Sequence, residues 1–120
     1  MKNFWTQLKK PIITTTPMAG ITDTAWRQIC KMWGADVVHT EFVSADALYY
    51  DSKKTLKMLE YQAMEQPVVV QIFGRRPELY TKAAQVIAKT GVAGIDINFG
   101  CPVKKVFRIS SLIWSLKPVL

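Results

Sequence analysis

Short apolar runs of strand character alternate along this chain with stretches whose apolar residues recur at helical spacing. Residues 12–16 (IITTT) are β-branched throughout, as suits a buried strand. Pro17, Met18, Ala19 and Gly20 end that strand. Thr22 is placed to cap a helix over residues 23–33, in which Trp26, Ile29, Cys30 and Trp33 make one stripe and Gly34 follows as the C′ residue. Residues 36–42 (DVVHTEF) predict a second strand. Residues 45–65 are less regular, although Leu56 and Leu59 suggest a helix there. Residues 67–73 (PVVVQIF) form a third, almost continuously apolar run, typical of a strand buried on both faces of a parallel sheet.

Pro77 suits the first position of the next helix, whose buried face is Leu79, Ala83, Val86 and Ile87 and which Gly91 ends. Arg76 precedes it as a poor cap, because its side chain carries no acceptor. Residues 94–99 (GIDINF) are a fourth strand, followed by Gly100, Cys101 and Pro102. Strand onsets near residues 12, 36, 67 and 94 are the βα repeat of a parallel α/β protein. Four such units amount to half of an eight-stranded barrel, which takes about 250 residues. An open four-stranded sheet has the same periodicity, and the pattern does not choose between them. Residues 107–120 (FRISSLIWSLKPVL) are apolar with no cap and no clear period.

Composition narrows the classes. At 49% apolar the 120 residues support a core, so wholesale disorder is not expected. No apolar run approaches the roughly 20 residues that span a bilayer, and residues 1–10 have no apolar segment of a secretory signal. Cys30 and Cys101 form no CxxC motif and no Cys/His cluster, so no metal site is expected and a reducing cytoplasm fits best. The net charge of +7 favours an anionic partner, nucleic acid first. The basic pairs Lys9-Lys10, Lys53-Lys54, Arg75-Arg76 and Lys104-Lys105 are scattered, which describes a solvated surface equally well.

Polar residues gather at the carboxyl ends of the predicted strands, the end that carries active sites in parallel α/β folds. Pro17, Met18 and Ala19 follow strand one, Glu41 closes strand two, Gln71 sits late in strand three, and Asn98 and Cys101 end strand four. Gly100 and Pro102 would hold the Cys101 thiol on a stiff loop, against the alternative of a small buried thiol. Cys30, on a helical stripe, reads as core. Gln71 and Asn98 offer donor and acceptor together, as the polar edge of a planar heterocyclic ligand requires; satisfied core amides are the plainer reading. His39 reads as a packed strand histidine, and Glu41 as a buried acceptor supporting the site. Arg75-Arg76 and Lys104-Lys105 are candidates to meet phosphate.

Four strings occur in order: Pro17-Met18-Ala19-Gly20, Thr40-Glu41-Phe42-Val43-Ser44-Ala45, Gln71-Ile72-Phe73-Gly74 and Asn98-Phe99-Gly100-Cys101-Pro102. Together they resemble the amino-terminal half of the tRNA-dihydrouridine synthases, from Pro11 to Val106. The resemblance implies a (β/α)8 TIM barrel, here a half barrel of about four βα units over residues 1–106. It implies FMN at the carboxyl ends of the strands, NADPH as reductant and tRNA uridine as substrate. It implies that Pro17, Met18 and Ala19 line the flavin largely through backbone, that Gln71 bonds the ring, that Asn98 lies beside flavin and substrate, and that Cys101 is the catalytic acid. After Val106 the family's glycine-rich turn is missing, so residues 107–120 are expected to be a frameshifted or truncated tail, and the chain alone an incomplete enzyme. Alternatives are another FMN barrel reductase, such as a dihydroorotate dehydrogenase-like enzyme, and a non-catalytic half-barrel that binds RNA.

Overall fold

The computed structural model describes residues 3–99; Cys101, Lys104-Lys105 and the tail at 107–120 lie outside the described residues. Its centre is a parallel sheet built on β3 (Val68–Phe73). One edge of β3 pairs with β1 (Val38–His39) and β2 (Val43–Ser44), the other with β4 (Gly94–Ile97). Val69 pairs with both His39 and Gly94, and Ile72 with both Val43 and Ile97, so β1 and β2 lie on one edge and β4 on the opposite edge. Thr14 bridges Val37 in parallel, which adds residues 12–16 beyond β1. The strands therefore stand side by side in chain order, the arrangement expected of consecutive βα units.

Two strand expectations change. Residues 12–16 make a single bridge rather than a strand, and Ile13 is 60% exposed rather than buried. Among the described residues this segment has a neighbour on one side only, where the Ile13 N–H donates to the Asp36 carboxylate and the Asp36 N–H donates to the Ile13 carbonyl. The second run is also broken. Val38 pairs with Val68 and Val43 with Ile72, five residues against four. The extra residue in the 40–42 segment is a bulge, which turns Val38 and Val43 to the same side although five positions separate them.

That parity sorts the sheet into two faces. Val38, Val43, Val68, Val70 and Ile72 face the helices, where Ala45, Leu48, Leu59, Ala83 and Ile87 complete the buried clusters. His39, Val69, Gln71, Phe73, Gly94, Asp96 and Asn98 share the opposite, inner face, since cross-strand partners point the same way and alternate along each strand. Phe4, in a short 3-10 helix at Phe4–Gln7, lies over Gly94, where an added Cβ would meet its ring at 3.2 Å. Phe4 thus covers the inner face near the amino end of β4.

The helices follow the sequence with corrections at their caps and faces. Helix α1 (Thr24–Met32) is capped by Asp23, whose carboxylate accepts from the Trp26 N–H at 2.8 Å. Thr22 is instead buried, bonded to the Met18 backbone. Gly34 follows the helix at φ +94°, a conformation open to glycine. The apolar stripe of α1 is not its buried face: Ile29 is 55% and Trp33 87% exposed, while Cys30 is half-buried against Ala35, Val38 and Val68. Residues 45–65 hold two short helices, α2 (Ala45–Tyr49) and α3 (Lys53–Lys57), and a 3-10 turn at Ala63–Glu65. Helix α4 (Pro77–Ala88) buries Leu79, Ala83 and Ile87, and Arg76 makes no side-chain cap bond, as expected. Val86 is only partly buried.

The buried member of α1 is Arg27. Its Nε donates to Glu65 at 2.6 Å, while its other nitrogens donate to the Thr22 and Glu60 carbonyls at 2.8 and 3.0 Å. Glu65 also accepts from the Thr24 hydroxyl and from the Gln62 N–H. A guanidinium and a carboxylate this deeply buried survive because nearly every polar atom of the pair finds a partner.

Two stability measurements check this packing. Ile87→Ala is expected to cost about 2–5 kcal/mol in urea unfolding, against under about 0.5 kcal/mol for Ile29→Ala. Glu65→Ala, which strands the buried Arg27 charge, is expected to cost about 3–5 kcal/mol. Equal effects at Ile87 and Ile29 would contradict the assignment of faces.

Candidate functional site

The candidate site is built at the carboxyl ends of the strands from two structures: a clamped loop and a row of amides. The loop after the first bridge turns back on itself. The Met18 carbonyl accepts from the Ile21 and Thr22 N–H groups and from the Thr22 hydroxyl, while the Met18 N–H donates to Thr22 Oγ1 at 3.2 Å. The Glu41 carboxylate then reaches over from the bulge and accepts from the Gly20 N–H. The bulge thus sets a carboxylate where it ties this loop to the neighbouring strand; Glu41 is an acceptor as the sequence suggested, but half-buried rather than buried.

This turn alters the expectation for the loop. Both backbone polar groups of Met18 are committed to it, so only the half-buried Met18 side chain remains to line a ligand. Ala19 differs: it is exposed, and among the described residues its N–H and carbonyl have no hydrogen-bond partner. Pro17 is half-buried beside them.

The amide row lies on the inner face. Gln71 and Asp96 are register partners on β3 and β4. Gln71 Nε2 donates to Asp96 Oδ2 at 2.6 Å, and Asn98 Nδ2 donates to Gln71 Oε1 at 3.0 Å. The Asn98 backbone N–H continues the pairing to the Ile72 carbonyl at 2.9 Å. The structure therefore brings Gln71 and Asn98 into direct contact. Cys101, three residues further on, lies outside the described residues. Asp96 went unremarked in the sequence, although its spacing of two from Asn98 puts both on one strand face.

His39 sits deeper on the same face. Its Nδ1 lies 3.2 Å from the Thr14 hydroxyl, and its backbone N–H donates to Thr15 Oγ1 at 3.0 Å. Burial pushes its pKa below the usual 6.5, against the opposing pull of the Asp96 charge. It is a packed strand histidine, as its position suggested.

Beyond Gln71, a cleft of about 440 Å³ opens between the ends of β2 and β3, lined by Ser44, Asp46, Phe73, Gly74, Arg75 and Arg76. Arg76 is paired with Asp46 at 2.6 Å. Arg75 is exposed at the same rim. Among the described residues no group of three acidic, histidine or cysteine side chains could hold a metal ion, and no helix is long and apolar enough to cross a membrane.

The lowered His39 pKa has a stability consequence of definite sign. The unfolded chain binds a proton at His39 more readily than the folded chain, so stability rises with pH through this window. The contribution is whole above 6.5 and is lost as pH falls below it. Between about pH 8 and pH 5, urea midpoints are expected to fall more steeply for the native chain than for His39→Gln. Parallel slopes would show that His39 is not held neutral.

Known proteins share these features of sequence. The profile described as dihydrouridine synthase matches residues 14–111. The tRNA-dihydrouridine synthase B of Pseudomonas aeruginosa is 42% identical over 90 residues, covering 75% of this chain and 27% of that protein. The probable tRNA-dihydrouridine synthase 2 of Bacillus subtilis is 36% identical over 108 residues, 88% of this chain and 33% of that protein. The probable tRNA-dihydrouridine synthase of Aquifex aeolicus is 40% identical over 101 residues, 83% of this chain and 32% of that protein. The chain spans about a third of the length of these relatives. The matched stretch runs through the loop at 17–20, the bulge, and the strands that carry Gln71, Asp96 and Asn98, and on it the chain belongs to the dihydrouridine synthase family.

Proposed function

We propose that the inner face of this sheet is the flavin- and uridine-binding face of a tRNA-dihydrouridine synthase, and that the chain supplies the first four βα units of a (β/α)8 barrel. The observation that carries this reading is the amide pair, Gln71 and Asn98, bonded at 3.0 Å on the carboxyl ends of neighbouring parallel strands. Strand ends of this kind are where parallel α/β folds bind cofactors.

The donor set suits FMN. A primary amide carries two N–H donors and a carbonyl acceptor, the mixture that the edge of an isoalloxazine ring asks for. The Ala19 backbone, without a partner among the described residues, adds one donor and one acceptor on the adjoining loop. In this reading Gln71 grips the ring, Asn98 stands beside ring and substrate, and Pro17, Met18 and Ala19 line one side, Met18 by its side chain.

FMN, recharged by NADPH, supplies the hydride that goes to C6 of uracil. The Cys101 thiol completes the reduction. In this reading its Sγ–H gives C5 a proton and is left as thiolate, so that hydride and proton together saturate the C5–C6 bond. A free cysteine has a pKa of about 8.5 and is mostly thiol near neutral pH, the form that can donate. The target uridine must leave its stack to reach the site, at a cost of a few kcal/mol. The net charge of +7 supports phosphate contacts that hold the tRNA, in the cytoplasm.

The test uses a complete barrel, this chain joined to the remaining strands of a relative, with FMN, NADPH and an unmodified tRNA transcript. Cys101→Ala is expected to lower dihydrouridine formation about 10²–10⁴-fold without changing FMN affinity measured by fluorescence. Unchanged turnover would remove Cys101 from proton transfer. Gln71→Ala is expected to weaken FMN binding about tenfold, the loss of one good hydrogen bond. If the complete barrel with the native residues leaves flavin fluorescence untouched, the flavin assignment is wrong.

A further inference from the structure

The two amides of the site are chemically ambiguous on their own. The nitrogen and oxygen ends of a glutamine or asparagine side chain have nearly the same shape, and rotation by half a turn exchanges donor for acceptor. What breaks the ambiguity is Asp96. A carboxylate accepts hydrogen bonds and has none to give. Gln71 must therefore turn its N–H end toward Asp96, where the distance is 2.6 Å. Its carbonyl then points to Asn98, which must answer with its own N–H end, at 3.0 Å. Reversing Gln71 would set its carbonyl against the Asp96 carboxylate, two acceptors face to face, and that bond would be lost however Asn98 turned.

We propose that Asp96 is a positioning residue that sets the donor and acceptor polarity of the Gln71–Asn98 pair, and through it the pattern met by the bound ring edge. The consequence for binding rests on the flavin reading given above; the polarity itself does not. Asp96 is two residues closer than Asn98 to the amino end of the inner face, so it acts through Gln71 rather than on the reacting atoms. The direction of the chain of bonds is fixed at this deep end and read at the strand ends. A second effect follows for the ligand. With one N–H of Gln71 held by Asp96, the other N–H and the second lone pair of Oε1 keep a fixed arrangement, and a ring edge is offered one pattern rather than two.

Asp96→Asn isolates polarity from packing. Asparagine keeps the size and can still bond to Gln71, but it can donate or accept, so either orientation of Gln71 is satisfied. A residue with a merely structural role would tolerate this change. The first readout is the nitrogen-15 spectrum of the side-chain amides in the full chain, which needs no flavin. The native chain is expected to give one sharp pair of resonances for each of Gln71 and Asn98, and Asp96→Asn to double or broaden both while the backbone signals of β3 stay in place.

The second readout is the FMN affinity of the complete barrel by equilibrium dialysis, expected to fall about twofold in Asp96→Asn, because about half the molecules then hold the competent orientation of Gln71. A control for folding is the double variant Gln71→Glu with Asp96→Asn. There the amide introduced at position 96 donates to the new carboxylate and Asn98 still donates to it, so all bonds remain, Asn98 keeps a single resonance pair, and only the outward donor of residue 71 is gone. Its FMN affinity is expected to fall about tenfold, further than in the single variant, because every molecule then lacks that donor. Unchanged amide resonances in Asp96→Asn overturn the polarity assignment. Altered resonances with unchanged FMN affinity overturn its role in binding. A single-orientation spectrum in the native chain, with no FMN taken up by the complete barrel, sinks the flavin reading and leaves the role of Asp96 in setting polarity supported.

Discussion

Every feature of the site depends on the pairing of β3 along both of its edges. A strand paired on both sides has no freedom to slip by one residue, because the slip would exchange its faces. Here the exchange would send Val68, Val70 and Ile72 away from the helices and drive Gln71 into the apolar cluster. The apolar side therefore fixes the register, and the register fixes where the polar residues stand. Gln71 meets Asp96, and Asn98 meets Gln71, as a result of hydrophobic packing on the side of the sheet away from them.

A second constraint ties the first helix and its loop to this sheet. Arg27 and Glu65 join α1 to the 3-10 turn that leads into β3, and Arg27 also holds the Thr22 carbonyl. Thr22 in turn shapes the Met18 turn, and Glu41 secures Gly20 from the bulge. A buried ion pair contributes little net stability compared with an apolar replacement, but it demands specific partners. Its effect here is geometrical: the loop at 17–20 is located from both sides, by α1 and by the bulged strand.

Much of this was legible in the sequence where one force dominates. The third strand, helix α4 with its buried Leu79, Ala83 and Ile87, and the glycine after α1 all follow from apolar period or from backbone freedom. Gln71 and Asn98 could be named because polar residues at the ends of apolar strands stand out. What was not legible depends on three-dimensional neighbours. The bulge at 40–42 adds one residue to DVVHTEF and leaves no mark in composition. The stripe of Ile29 and Trp33 has the spacing of a core face, but α1 turns Arg27 inward, because Glu65, 38 positions later in the chain, makes burial of that charge tolerable. Thr22 and Asp23 are both good caps by type, and only the path of the loop decides between them.

The two faces of the sheet also divide the energetic burden. A binding face must keep polar groups available, and unsatisfied polar groups in a partly buried place are costly. Among the described residues no buried side-chain nitrogen or oxygen lacks a partner. The inner face meets this condition by bonding its polar side chains to one another, with Gln71 using part of its capacity on its neighbours and keeping part in reserve. An arrangement satisfied before a ligand arrives has little to reorganise when it does, so the reserve donor and acceptor are already aimed. Stability is drawn from Val70, Ile72, Leu48 and Ile87 on one side, which leaves the residues of the other side constrained by hydrogen-bond direction rather than by volume. On such a face a change of one atom from acceptor to donor matters more than a change of size.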